Sequence, residues 1–328
     1  MNRRRKLVIA LGAGALAMPF GPFAQQPGKL WRIDFLLEAE QSYYVSLIDA
    51  FKVGMRELGY AEGRDYVIEQ RSAESEFARL PALAAELLAL KADVIVSSGT
   101  PSAVAARNAT REIPILIAIV GDPVGSGLAA SLRRPGGNVT GLTNLSTELY
   151  TKRLDLLRQI SPGMRRVGYL YNPDNANDAL GLRQFESDCG KLQFKSIRAS
   201  VRKAEEIAAA FKTLQQDKAQ GLIVSASSLN SVSRESIIEQ AAKHRLTAIY
   251  GLNLFAESGG LLSYSANFAD LYRRAAVYAD KIFKGAKAGD LPIEQPTKFE
   301  LVINQKTAKQ LGIMVPQSLL LQADEILE

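Results

Sequence analysis

Asp93-Val94-Ile95-Val96-Ser97-Ser98-Gly99-Thr100-Pro101-Ser102-Ala103-Val104-Ala105-Ala106 decides the reading of this chain. A short β-branched run breaks at Ser-Gly-Thr and gives way to an Ala-rich segment that opens with Pro, the pattern of a buried parallel strand turning into a helix. Thr100 is the expected N-cap. In an open α/β sheet such a turn stands at the carboxyl end of a strand, where free helix N–H groups and small hydroxyls face a crevice and suit an anion. A plain capped helix start would look the same. The device gains weight because it recurs: Leu222-Ile223-Val224-Ser225-Ala226 matches Val94 to Ser98 and again leads into a hydroxyl-rich turn and a helix.

Around this stretch, strands and helices alternate. Strands are read at Trp31 to Glu38, Tyr66 to Arg71, Val94 to Ser97, Ile113 to Val120 and Val139 to Thr143, with helical periodicity over Tyr44 to Leu58 and Leu80 to Leu90. A second series has strands at Arg166 to Tyr171, Phe194 to Ala199, Gly221 to Ser225, Leu246 to Tyr250 and Gly260 to Ser265, with 227–231 read as a loop. This rhythm implies parallel sheets covered on both faces.

The two series are copies. Pro135-Gly136-Gly137-Asn138-Val139-Thr140-Gly141-Leu142-Thr143-Asn144 leads into Glu148-Leu149-Tyr150, as Ser258-Gly259-Gly260-Leu261-Leu262-Ser263-Tyr264-Ser265-Ala266-Asn267 leads into Asp270-Leu271-Tyr272. So long a period means two similar Rossmann-like lobes rather than a solenoid. The helix after each fifth strand is expected to cross to the other lobe, giving several hinge crossovers and a ligand cleft between the lobes. The expected division is lobe 1 at 30–145 plus about 268–290 and lobe 2 at 146–267. A strand-helix element at 291–328 belongs to either.

Composition narrows the function. With 328 residues and 47% hydrophobic content, the chain can form two real cores. Four of the six excess positive charges lie at Arg3, Arg4, Arg5 and Lys6, so the remainder is close to neutral and gives no support to nucleic-acid binding. Residues 1–24 read as a secretory signal, a basic start followed by an apolar run too short to span a membrane. Export to the periplasm follows. Cys189 is the only cysteine, which excludes an intramolecular disulfide, and it lies far from any lipid-anchor position behind the signal.

Binding residues are expected on the loops after the strands. These supply Glu38, Tyr43, Ser98, Thr100, Ser102 and Asp122 from one lobe, and Asn172, Ser227, Asn230 and Tyr250 from the other. Hydroxyl, amide and tyrosine groups with few charges suit a small polar solute. A solute carboxylate would sit on the Ser98 to Ser102 turn, Asp122 or Glu38 would hold an amine, and Tyr43 or Tyr44 would form an apolar wall. Asp122 equally fits a turn opener before Pro123, and Tyr250-Gly251 equally fits turn punctuation. Asn144 and Asn267 fit a hinge. The lone His244 ends a helical pattern, and no nucleophile elbow, zinc or phosphate-loop motif occurs, so a non-enzymatic binding protein without cofactor or metal is the reading.

Five runs carry a family resemblance: Leu58-Gly59-Tyr60-Ala61-Glu62-Gly63, Arg79-Leu80-Pro81-Ala82-Leu83-Ala84-Ala85-Glu86-Leu87, Gly121-Asp122-Pro123-Val124-Gly125-Ser126-Gly127-Leu128, Arg134-Pro135-Gly136-Gly137-Asn138-Val139-Thr140-Gly141 and Pro296-Thr297-Lys298-Phe299-Glu300-Leu301-Val302-Ile303-Asn304. Together they resemble the ABC-transporter substrate-binding proteins that include tryptophan and tyrosine binders. The resemblance implies a type I periplasmic-binding fold, a ligand between the lobes and delivery by a monomer to an ABC permease with its ATPase. The first loop, Glu38-Ala39-Glu40-Gln41-Ser42-Tyr43, departs from the aromatic binders, so the ligand class stays at an amino acid or related carboxylate. A sensor serving a membrane receptor and a carboxylate-dependent enzyme remain the rival readings.

Overall fold

The computed structural model describes residues 29–328; the leader read over 1–24, with its cleavage site, lies outside them. Strands β1 (Trp31–Leu37), β2 (Tyr66–Ser72), β3 (Val94–Ser97), β4 (Ile115–Val120) and β5 (Val139–Thr143) form a parallel sheet in the order β2-β1-β3-β4-β5. Successive side chains along a strand face opposite sides, and the sequence uses both. Phe35, Leu37, Val94 and Val96 pack on α1 (Gln41–Glu57). Leu36, Ile95, Ile115 and Ile117 pack on α2 (Leu80–Ala89) and α3 (Thr100–Ala109).

The second sheet repeats that order. Strands β6 (Arg166–Tyr171), β7 (Lys195–Ser200), β8 (Gly221–Val224), β9 (Thr247–Tyr250) and β10 (Leu262–Ala266) lie parallel as β7-β6-β8-β9-β10. Helices α4 (Tyr150–Ile160) and α5 (Ala176–Lys191) cover one face, α6 (Ile207–Gln216) and α8 (Arg234–Lys243) the other. The tail that the pattern left unassigned extends this sheet. β11 (Phe299–Asn304) runs antiparallel to β10, and β12 (Glu325–Leu327) lies parallel to β11.

The chain passes between the lobes three times. After β5, α4 buries Leu154, Leu156 and Leu157 in the second lobe; after β10, α10 (Phe268–Phe283) returns to bury Leu271, Tyr272, Ala275 and Ala276 against Phe51 and Met55 of α1. That crossing is close, since a Cβ on Gly54 would collide with the carbonyl of Arg273. The third passage follows β5 as Glu294 N–H donates to the Gly141 carbonyl at 2.9 Å and Thr143 N–H to that of Glu294 at 3.0 Å, then enters β11. Arg153, 1% exposed, binds two passages together: its Nε and Nη2 donate to the Tyr264 carbonyl at 3.1 and 2.9 Å, and Nη1 to that of Ser146 at 3.5 Å.

Two local readings change. Gly99, in an extended conformation, is the N-cap of α3, and Thr100 is its first residue. Residues 228–232 form a helical turn, α7 (Ser228–Val232), where the sequence suggested loop; Ser227 Oγ accepts from Asn230 N–H at 3.4 Å. A five-residue polar stretch with one buried leucine carries no periodicity long enough to reveal such a turn. A further short helix, α9 (Asn253–Glu257), follows β9 for the same reason.

Candidate ligand-binding cleft

In each sheet the strand order reverses beside the first strand, and there the carboxyl ends open a crevice. The two crevices, at β1 and β3 and at β6 and β8, face each other. Glu38 follows β1 and Ser98-Gly99-Thr100 follow β3; Asn175 and Asn177 come after β6, and Ala226, Ser227 and Ser228 after β8. With Tyr43, Tyr44, Ile119, Asn144 and Phe268 they enclose a cavity of about 20 Å³, room for one or two waters. Grooves of about 460 and 470 Å³, each lined from both lobes, lie to either side.

Glu38 is the centre of the polar network. Its N–H donates to Ser98 Oγ at 3.0 Å, its Oε1 accepts from Ser102 N–H at 3.0 Å and Ser102 Oγ at 3.1 Å, and its Oε2 accepts from Ser228 Oγ of the other lobe at 3.0 Å. The anion seated at the start of α3 is therefore the chain's own carboxylate. Gly99 makes this possible, because a Cβ there would stand 2.5 Å from Glu38 Oε1. Burial pushes the Glu38 carboxyl above its usual range, with the bonds from Ser102 and Ser228 opposing.

Behind the cavity, on the second lobe, Asp178 in the first turn of α5 accepts from Asn172 N–H at 2.8 Å and from Ser225 Oγ at 2.7 Å. Burial pushes its carboxyl up to about 7; the Asn172 and Ser225 bonds oppose the rise and the charge on Glu38 adds to it. Asn230 Nδ2 donates to Ser225 Oγ at 2.9 Å and completes this floor. A second approach between the lobes is made by Asn177, whose side chain lies against Gly121 of the first lobe while its Nδ2 donates to Ser146 Oγ, at the start of the crossover, at 3.0 Å.

The residues singled out in the sequence thus divide. Glu38, Tyr43, Ser98, Thr100 and Ser227 line the cavity, and Ser102 touches it through Glu38. Asn172 and Asn230 stand one layer behind. Asp122 is placed elsewhere: its Oδ1 accepts from Val124 and Gly125 N–H at 3.1 and 2.7 Å, closing a turn on the wall of a side groove. Tyr250 is core, stacked on Phe255 with centroids 4.6 Å apart. Asn144 lines the cavity besides serving the crossover, whereas Asn267 caps α10. Among the cavity residues, Asn177 and Ser228 lie on the post-strand segments 172–177 and 225–231, where the sequence places binding residues without singling them out, and Phe268 gave no signal. Among the described residues no cluster is placed to hold a metal ion.

Two parallel-sheet lobes whose strand ends meet over one buried polar cavity define a two-lobed binding protein. The chain belongs to the family described as ABC transporter substrate binding protein, whose sequence model matches residues 40–327. It is 28% identical over 264 residues to the tyrosine-binding protein of Clostridioides difficile, covering 80% of this chain and 75% of that one. A conserved domain protein of Vibrio cholerae has the same fold, with a TM-score of 0.86 at 26% identity over 91% of this chain and all of the other. An ABC domain from Streptococcus pneumoniae, solved in complex with L-Trp, gives 0.84 at 24% identity, again over 91% of this chain and 100% of the other. The ligand-free, open structure of a Clostridium difficile substrate-binding protein gives 0.66 at 25% identity over 91% of this chain and 99% of that one. The fold is the type I periplasmic-binding fold.

Proposed function

We propose that this protein is the exported, periplasmic solute-binding component of an ABC import system. Its lobes close on an amino acid in the Glu38–Ser228 cleft, and the monomer hands that solute to a permease with its ATPase. The observation that carries this reading is the convergence of both sheets' carboxyl ends on one cavity, with a hydrogen bond from lobe to lobe inside it. Relatives that bind tyrosine and L-Trp favour an aromatic amino acid, and Tyr43, Tyr44 and Phe268 offer ring surfaces to receive one. The higher TM-score to the L-Trp complex than to the ligand-free, open relative fits lobes in the closed arrangement. An amino acid enters the present cavity only when the lobes part, so binding and closure are one equilibrium.

Isothermal titration against the twenty amino acids tests this. Saturable binding of one or a few, strongest for an aromatic one, is the expected result. A protein that binds none of them, yet binds another solute in the same cleft, would overturn the amino-acid assignment.

A further inference from the structure

We infer that Glu38 fixes the charge of the group received at the first lobe's end of the cleft: it takes a protonated amine and turns away a solute carboxylate. This rests on the cleft being the solute site.

Among the described residues, Glu38 is the only charged side chain lining the cavity, and it is 2% exposed. A buried carboxylate is costly unless a counter-charge or a full set of donors meets it. The donors that reach it, Ser102 N–H, Ser102 Oγ and Ser228 Oγ, are all neutral. A carboxylate has about four lone-pair sites, and the single Ser102 hydroxyl proton is also within reach of the Gly99 carbonyl at 3.0 Å, so at least about one acceptor position is left free. The missing partner is a cation, and the lining residues contain none.

The surroundings agree with a cation in both shape and sign. Tyr43 and Tyr44 meet edge to face with centroids 4.7 Å apart, and Phe268 completes the aromatic side, which suits an ammonium held beside a carboxylate. The Tyr44 hydroxyl is buried and without a partner, although the residue lines the cavity. It can accept an N–H. A solute carboxylate has no equivalent place here, because the Ser102 N–H at the start of α3 is already taken by Glu38 and a second anion beside it would meet like charge.

Three probes of one shape separate the possibilities: L-tyrosine, tyramine, which lacks the carboxylate, and 3-(4-hydroxyphenyl)propionate, which lacks the amine. Calorimetric titration of the purified protein should show L-tyrosine and tyramine binding, with the propionate weaker than L-tyrosine by 30-fold or more. In Glu38→Gln, which keeps the size of the side chain, the gap between L-tyrosine and the propionate should shrink to a few-fold; circular dichroism confirms the fold. If that variant does not fold, the wild-type comparison decides alone. A propionate that binds within threefold of L-tyrosine overturns the inference, as does stabilisation of the protein only by amine-free solutes, and either result leaves a solute-binding cleft standing. Failure of these probes, the amino acids and a panel of sugars and carboxylates alike to shift the melting temperature overturns both this inference and the solute-binding reading.

Discussion

Gly99 and Glu38 form one unit, because the carboxylate lies where any larger residue at 99 would put its Cβ. The backbone at 99 is extended and would accept alanine, so Gly99→Ala acts through the side chain it displaces rather than through strain. Its expected effect is a loss of solute affinity of at least tenfold by calorimetry, together with a loss of stability of about 1–3 kcal/mol, because the displaced carboxylate leaves its buried donors. Asp178 contributes a pH effect of definite sign. Its carboxyl is raised from 3.8 to about 7 in the folded state, so the unfolded chain loses the proton first as pH rises. The stability associated with the neutral acid is fully present below pH 4 and is lost as pH climbs to 7, by a few kcal/mol. Asp178→Asn should lack that component, so its melting temperature gains on the wild type between pH 4 and 7. Parallel melts at both pH values check it.

At the scale of elements, the crossovers concentrate the risk. Arg153 is a buried cation that donates to carbonyl oxygens and lies over the Tyr150 ring, so its removal strands those acceptors and opens a gap between α4 and β10. Arg153→Ala should lower stability by about 3 kcal/mol in denaturant titrations. Gly54→Val, at the closest approach of α1 and α10, should cost about 1–3 kcal/mol by overpacking, and more if the helices cannot shift. The elements themselves were largely legible, because β-branched runs and the repeated Gly-Gly-strand-Asn pattern are local signals. Tyr250 shows where legibility stopped. Both faces of β9 are covered, so alternation alone does not separate core from cleft at its carboxyl end; Tyr250 is core because Phe255, on the short helix that follows, stacks on its ring. Asp122 turned on turn chemistry that the sequence offered as one of two readings. Phe268 is different in kind: its place in the cavity depends on how the crossover helix α10 sits between the lobes, which no local pattern encodes.

At the scale of the molecule, three passages between the lobes leave a hinge with few ways to move. Closure should therefore be nearly rigid. X-ray scattering with saturating L-tyrosine is expected to give a smaller radius of gyration than the solute-free protein, whereas Ser228→Ala, which removes the hydrogen bond that Ser228 Oγ donates to Glu38 across the cleft, should weaken the compaction. A further consequence comes from Cys189, the chain's only cysteine, on the buried face of α5 with its thiol pushed up to about 12 by burial and the nearby Asp188 and Glu186. Thiolate is the form that reacts with alkylating dyes, and at neutral pH this site offers almost none. Cysteines introduced at Val124 and Arg183, exposed on the two walls of one side groove, can thus take a fluorophore pair while the native thiol stays silent. The opening and closing of single molecules then becomes visible as energy transfer in a protein that keeps its native cysteine.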